Sequence, residues 1–191
     1  MSMSRSASED IKTSEFLYEE ELVGVIFQKP LPPTKIGGLQ MNAFVEGSEA
    51  KLPRWAAKAL EAEGVVKLMI EETQQLRSSE LYKLCWKEER NETLSQLPPH
   101  FYPKLRDLIL TLNSSIKQNP TQTTLNEQRQ IVMKAQDLIN CRLQKILHLS
   151  FERNPAKTVI DTLEPEERGL FNALRSEMED WRQKILAEEM K

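Results

Sequence analysis

The sequence predicts an α+β protein in which a small β-rich domain precedes a mainly α-helical bundle. Short apolar, β-branched runs occupy the first third of the chain, and amphipathic stripes with helical spacing occupy the rest. Prolines divide these stripes into four segments. We therefore expect a flexible, serine-rich tail at residues 1–13, a small α+β domain at 14–70 and a helical domain at 71–191.

The small domain is predicted to open with a short helix that Thr13 or Ser14 caps, because hydroxyl side chains accept hydrogen bonds from the free N–H groups of a first turn. The apolar run at residues 22–27 predicts a strand buried on both faces. Residues 39–45 are the second predicted strand.

Pro53 suits the first position of a helix, and Gly64 suits its end. Residues 65–68 then predict a third strand. The order of strand, strand, helix and strand is typical of a small α+β domain.

The helical domain is predicted to contain four helices with short, proline-marked connections. The first covers residues 73–91, and the third runs from a capping box of Thr124 and Glu127 to about residue 150. On the second, the apolar side chains recur at helical spacing: Phe101, Leu105, Leu108, Leu112 and Ile116. On the fourth, which begins at residues 164–167, the side chains predicted to face inward are Leu170, Phe171, Leu174, Met178, Trp181 and Ile185.

The charge balance argues against a stand-alone DNA-binding domain. The formal net charge is −3 and the pI is about 5.6, so the molecule as a whole repels a phosphate backbone. No run approaches the ~20 apolar residues that span a bilayer, and residues 1–10 lack the apolar segment of a signal peptide. We expect a cytoplasmic protein that does not enter membranes.

The sequence holds no motif for catalysis, cofactor binding or metal binding. His100 and His148 have no Cys, Asp or Glu at metal-ligand spacing, and Cys85 and Cys141 suit small buried side chains in helices. The six glycines form neither a phosphate-binding loop nor a dinucleotide motif. We therefore expect no enzymatic activity, no cofactor and no metal.

Arg142 is the most unusual residue of the third helix, because it projects from a broad apolar arc. It is predicted to be buried, where a guanidinium must be compensated. Three explanations stay open: an intrachain salt bridge to Glu88, Glu89 or Glu92, a contact in a subunit interface, or a phosphate contact. The arc covers about half of the helix, which predicts packing against more than one neighbour; its residues are Ile131, Val132, Ala135, Leu138, Ile139, Leu143, Ile146, Leu147 and Leu149.

Aromatic residues follow the helices. Trp55, Trp86 and Trp181 occupy helical positions, and Phe101 and Tyr102 open a helix. We expect these side chains in the core, with one or two of them shared with a partner chain, since Trp and Tyr are enriched at subunit contacts.

Six segments, in this order, resemble the GINS family. The most specific is LPRWA at residues 52–56, which matches the LP-x-W start of a family helix. At residue 164 the family more usually has Thr, where this chain has Glu164. The resemblance covers roughly residues 15–186; its other segments are 15–26, 36–38, 97–102, 142–146 and 163–167.

The resemblance implies a non-catalytic structural subunit of a DNA replication complex. Because the β-rich part comes first, the chain is similar to the B-domain-first class, the Psf-two and Psf-three type, and its compact length suggests an archaeal chain. The implied partners are an A-domain-first GINS subunit in a heterotetramer, the MCM helicase, a RecJ-like protein of the Cdc-forty-five type, and further a primase or DNA polymerase. Contact with DNA would be indirect or weak, at the replication fork.

The structural or interface candidates, taken from the resemblance, the apolar arc and the aromatic residues together, are Leu52, Pro53, Trp55, His100, Phe101, Tyr102, Arg142, Lys145 and Trp181. The alternative function is a replication accessory protein that binds single-stranded nucleic acid through the β domain. The near-neutral charge and the few aromatic residues of that domain argue against it.

Overall fold

The computed structural model describes residues 7–69 and 75–188. The chain folds as two compact units. The small unit is Glu15–Gln75, and the helical unit is Leu76–Lys191 together with Met1–Ser14. An α+β fold with a small N-terminal sheet before a helical bundle is confirmed.

The small unit contains a three-stranded antiparallel sheet in the order β4-β1-β5 and a two-stranded hairpin of β2 and β3. Helix α2 packs on the larger sheet. The elements are β1 Leu22–Phe27, β2 Thr34–Ile36, β3 Leu39–Met41, β4 Glu49–Pro53, α2 Arg54–Ala62 and β5 Val66–Met69.

Strand β1 is confirmed, but its predicted burial on both faces is wrong. Val23, Val25 and Phe27 are buried, whereas Leu22 on the opposite face is 60% exposed. An antiparallel sheet covered on one side alternates in this way. The buried face packs against α2 through Leu60.

The second predicted strand is shorter than expected, because β3 ends at Met41. Phe44 instead forms an isolated bridge with Leu31, and its ring stacks on Phe27 at 4.3 Å between ring centroids. Strands β2 and β4 were not predicted. Both are short and carry polar side chains, so hydropathy does not mark them.

Pro53 and Gly64 bound α2, but Pro53 stands one residue before the first helical position that was predicted for it. Pro53 is the last residue of β4 and precedes the first turn, and Gly64 has a φ of +65° just after the helix. The Gly64 N–H donates to the carbonyl of Glu61. The third predicted strand is confirmed as β5.

The helical unit has α5 at its centre, in contact with α3, α4 and α7. The four predicted helices are confirmed, and the short α6 is an addition. The predicted start of the first helix at residue 73 lies outside the described residues. The elements are α3 Ser78–Arg90, α4 Phe101–Gln118, α5 Gln122–Phe151, α6 Lys157–Ile160 and α7 Pro165–Glu188.

The predicted cap of α5 is wrong by one turn. The helix begins at Gln122, and its cap is Thr121, whose hydroxyl accepts from the Thr124 N–H at 3.1 Å. The Thr124 hydroxyl in turn accepts from the Thr121 N–H at 3.0 Å.

Helix α1 (Ala7–Glu20) begins well before its predicted cap. Thr13 lies inside the helix, where its hydroxyl donates to the carbonyl of Glu9 at 2.8 Å, so neither Thr13 nor Ser14 is an N-cap. Residues 7–13 are therefore helical and not a flexible tail. Residues 1–6 lie outside the described part of the chain.

Two tryptophans predicted to be in the core are exposed. Trp86 on α3 is 57% exposed, and Trp181 on α7 is 63% exposed, as is Ile185 nearby at 44%. Among the side chains that the structure describes, α7 has none buried after Phe171. The inward stripe predicted for α7 is therefore correct only for its first half.

Gly37→Ala tests the packing of Trp55 in the small unit. Gly37 has a φ of +55°, and a Cβ there would lie 2.7 Å from Cη2 of Trp55. We expect a loss of unfolding free energy beyond the about 1–2 kcal/mol that left-handed backbone costs a non-glycine residue. Urea denaturation measures it.

Gly38→Ala is the matched control, because Gly38 has a φ of +92° and nothing within 4 Å of an added Cβ. Equal losses for the two variants would show that Trp55 does not press on Gly37.

Candidate subunit interface

Arg142 lies at the middle of the helical unit with its residue fully buried. Its guanidinium binds Glu167 with two hydrogen bonds, from Nε to Oε1 at 2.5 Å and from Nη2 to Oε2 at 2.7 Å. Nη1 donates to Glu88 Oε2 at 2.8 Å and to the carbonyl of Ser95 at 2.7 Å. Bidentate, charge-assisted contacts of this kind are among the strongest hydrogen bonds in proteins.

Glu88, on α3, is the second acid of this cluster. Lys145 Nζ donates to Glu88 Oε1 at 2.7 Å, and the Ser95 hydroxyl and N–H both donate to Oε2. Burial alone would raise the pKa of Glu88, but hydrogen bonds from Lys145 and Ser95 and the charge of Arg142 lower it. Glu88 is therefore held as a carboxylate inside the fold.

Glu167 ties the start of α7 to the same cluster. The Tyr102 hydroxyl donates to Glu167 Oε1 at 2.6 Å, and the Glu164 N–H donates to Oε2 at 3.0 Å. Burial and then the charge of Glu167 raise the pKa of Tyr102, so the phenol keeps its proton and remains a donor. Burial alone would lower the pKa of Arg142, but its bonds to Glu167 raise it.

We call these six residues the Arg142 network: Glu88, Ser95, Tyr102, Arg142, Lys145 and Glu167. Two cations meet two carboxylates, so the buried charges balance. The network joins α3, α4, α5 and α7 within one chain. Of the three explanations left open for Arg142, the structure therefore shows the intrachain salt bridge.

Glu88 was among the acids predicted to pair with Arg142, whereas Glu89 and Glu92 are exposed. The second acid, Glu167, was missed. Its position three residues after Glu164 at a helix start was a usable signal, because an acid at that place bonds back to the first free N–H. Only the fold reveals that the same carboxylate reaches Arg142.

An apolar groove of about 520 Å³ lies along α5 beside the Arg142 network, and Tyr102 and Glu167 also line it. We call it the α5 groove. Its walls are α4, α5, the start of α7 and the first turns of α1, all within the helical unit. The apolar side chains that define it are Ile11, Ile109, Val132, Ile139, Leu143 and Leu170.

The broad apolar arc of α5 is thus covered only in part. Ile131, Leu138 and Ile146 are buried in the core, whereas Ile139 and Leu143 are 38% and 43% exposed. A second exposed apolar area follows on α7, with Trp181, Ile185 and Leu186. Exposed apolar patches of this kind mark interaction sites.

The remaining candidates lie inside the fold of their own unit. Leu52 is buried in β4, Pro53 leads into α2, and Trp55 is half-buried against Gly37. Lys145 belongs to the Arg142 network, in which it binds Glu88. Among the predicted candidates, Trp181 is the exposed one.

The start of α4 combines three predicted residues. His100 has a φ of +56° just before the helix, Phe101 is fully buried, and Tyr102 reaches Glu167. Because the backbone of His100 is left-handed, the chain turns sharply between the prolines at 98–99 and the buried Phe101.

Catalytic geometry is not evident in the described residues. Cys85 is buried, which raises the pKa of its thiol to about 11, and Cys141 is half-buried. Residues 7–69 and 75–188 contain no group of His, Cys, Asp and Glu that could hold a metal ion. Over the same ranges, no helix is long and apolar enough to cross a bilayer.

Glu164 directly precedes α7 and faces two further acids. Burial, then the charges of Glu166 and Glu167, raise the pKa of the Glu164 carboxyl to about 7. This is the position at which the family more usually has Thr. An ionised side chain here faces like charges, although its backbone N–H is satisfied by Glu167.

Arg142→Ala should lower the free energy of unfolding by about 3–5 kcal/mol, because it leaves two buried carboxylates without their shared cation. Chemical denaturation measures this loss. The control is Arg182→Ala, which removes an exposed pair to Glu179 at 3.8 Å and should cost less than about 1 kcal/mol. Similar losses for both variants would contradict a central role for Arg142.

Glu164→Gln should change how stability depends on pH. A carboxyl whose pKa rises from 4.5 to about 7 on folding binds its proton more tightly in the folded chain, so its ionisation destabilises the fold as pH rises through that window. The glutamine variant should therefore gain stability relative to the natural chain between pH 5 and pH 8. A difference in unfolding free energy that stays constant over this range would contradict it.

Comparison with known proteins agrees with this architecture. The family model described as the GINS complex protein helical bundle domain matches residues 87–186, which is 100 of the 191 residues. The match runs from within α3 through α7 and so contains all of the Arg142 network. A search of curated proteins found no match. The chain belongs to the GINS family and is a subunit of that DNA replication complex.

Proposed function

We propose that this chain is a B-domain-first GINS subunit that activates the MCM replicative helicase together with a RecJ-like protein of the Cdc-forty-five type. The order of the two units supports the class, because the sheet of the small unit precedes the helical bundle in the sequence.

The observation that carries an assembly role is the apolar surface that the helical unit leaves uncovered. The α5 groove and the exposed residues Trp181, Ile185 and Leu186 lie on helices of one bundle. Monomeric proteins rarely leave such surface in water, and subunit interfaces bury it. We infer that A-domain-first GINS chains cover it in a heterotetramer.

Activation in this proposal is architectural and requires no chemical step by this chain. The GINS complex binds the active state of the MCM ring more tightly than the inactive state and so increases its population. By linkage, that stabilisation equals at most the difference between the two binding free energies. The Arg142 network contributes by holding α5 and α7 in a fixed arrangement before assembly.

A helicase assay tests the proposal. MCM is measured alone, with the RecJ-like partner, and with that partner plus the GINS complex that contains this chain. We expect unwinding to rise only with the complete set, by about 5–150-fold, the range that typical coupling free energies allow. Unwinding or nucleotide hydrolysis without MCM, or no association with MCM, would contradict the proposal.

Any truncated variant used in this assay must keep the start of α1. Truncation at residue 70 would remove the small unit and also residues 7–14, which belong to the helical unit. Omission of the whole subunit is therefore the cleaner control.

The DNA affinity of the isolated chain should be weak and lost at moderate salt, because the chain can neutralise few phosphates. Tight binding with a steep salt dependence would favour the alternative function, in which the chain binds single-stranded nucleic acid.

A further inference from the structure

We propose that the α5 groove binds an amphipathic helix of another GINS chain. This helix carries a basic side chain opposite Glu166, and the first turns of α1 form one wall of the site. This inference rests on the proposed function, since it names the occupant of one surface in the assembly.

The shape of the groove fits a helix. Val132, Gln136, Ile139 and Leu143 line it along α5 at steps of four, three and four residues. At 1.5 Å per residue this strip is about 16 Å long, or about three helical turns. The walls are helices, which present no open backbone edge to an extended strand, whereas a helix satisfies its own backbone and packs through side chains.

The carboxylate of Glu166 at the α7 wall indicates that the bound helix carries a basic side chain. Glu166 is only 8% exposed, and its Oε1 accepts no hydrogen bond within the described structure. The neighbouring Glu167 is already bound by Arg142 and Tyr102. A buried carboxylate oxygen without a donor costs free energy, and a Lys or Arg side chain on the incoming helix would supply that donor. Arg106, on α4, lines the opposite wall.

Helix α1 reaches the groove because residue 169 is glycine. Ala7 and Ile11 line the groove, and Asp10 packs on Gly169 of α7. A Cβ at residue 169 would overlap the Asp10 carboxylate and lie 3.0 Å from Asp10 Cβ and Cγ. A side chain at this place would therefore push the first turns of α1 away from α7 and alter the wall.

The first experiment measures binding of the full-length chain to the A-domain-first GINS chain of the same source by titration calorimetry. Leu143→Arg should weaken binding at least about 30-fold, the effect of losing a central interface residue. Met133→Arg is the matched control, because Met133 is 56% exposed on the same helix outside the groove lining. Circular dichroism checks that both variants fold.

The second experiment tests the charge of Glu166 and the wall that the first turns of α1 form. Glu166→Gln should weaken binding about tenfold or more and reduce its dependence on salt, since it removes one buried charge pair. Gly169→Ala should weaken binding although residue 169 touches no partner. Adding Asp10→Ala should restore binding in part, because it removes the overlapping carboxylate but keeps the Cβ at 3.0 Å. If Leu143→Arg and Glu166→Gln both bind the partner chain as tightly as the natural chain does, the inference is wrong.

A photo-crosslinker at residue 139 separates this inference from the proposed function. A crosslink to a helix of the partner chain supports the groove as the site. If the four-chain complex forms but the crosslink and the Leu143→Arg effect are both absent, the groove inference is wrong and the proposed function stands. If the natural chain forms no complex with the partner, both are wrong.

Discussion

The helical unit depends on the compensation of one buried guanidinium. Arg142 is fully buried, and it satisfies its charge with acids from α3 and α7 that lie 54 and 25 residues away in sequence. A hydrophobic residue at this place would tolerate several packings of the bundle, whereas the guanidinium accepts only one that brings Glu88 and Glu167 together. Buried ion pairs contribute little net stability but discriminate strongly against arrangements that leave a charge unpaired. We infer that the network specifies how four helices meet.

The same helix explains why the chain suits an assembly. One face of α5 holds Arg142 among Leu138 and Ile146, and the face beside it carries Ile139 and Leu143 at partial exposure. A helix that served only this chain would have polar residues at the second face. The apolar arc is therefore wider than the described part of the bundle covers. An apolar face of this kind suits contact with another chain.

Periodicity and proline positions predicted most of the helices and strands, because burial of an apolar stripe and the lost N–H of proline act locally. Other features depended on the fold. Glu167 could not be assigned to Arg142 without knowing that α7 passes α5. The inward position predicted for Trp181 failed because the end of α7 has no covering element in the described chain. The first turns of helix α1 were missed because they carry small and polar residues, such as Ala7, Asp10 and Ser14, which hydropathy does not mark.

The network and the groove share the first turn of α7, which links stability to assembly. Glu167 is held by Arg142, and Glu166 beside it lines the groove. The network therefore fixes the wall against which a partner helix would pack. Because a partner that binds only the folded chain stabilises it by RT ln(1 + [L]/Kd), binding in the groove and formation of the network reinforce each other. A subunit built in this way is most stable in its complex, and the strength of its fold depends on the concentration of its partners.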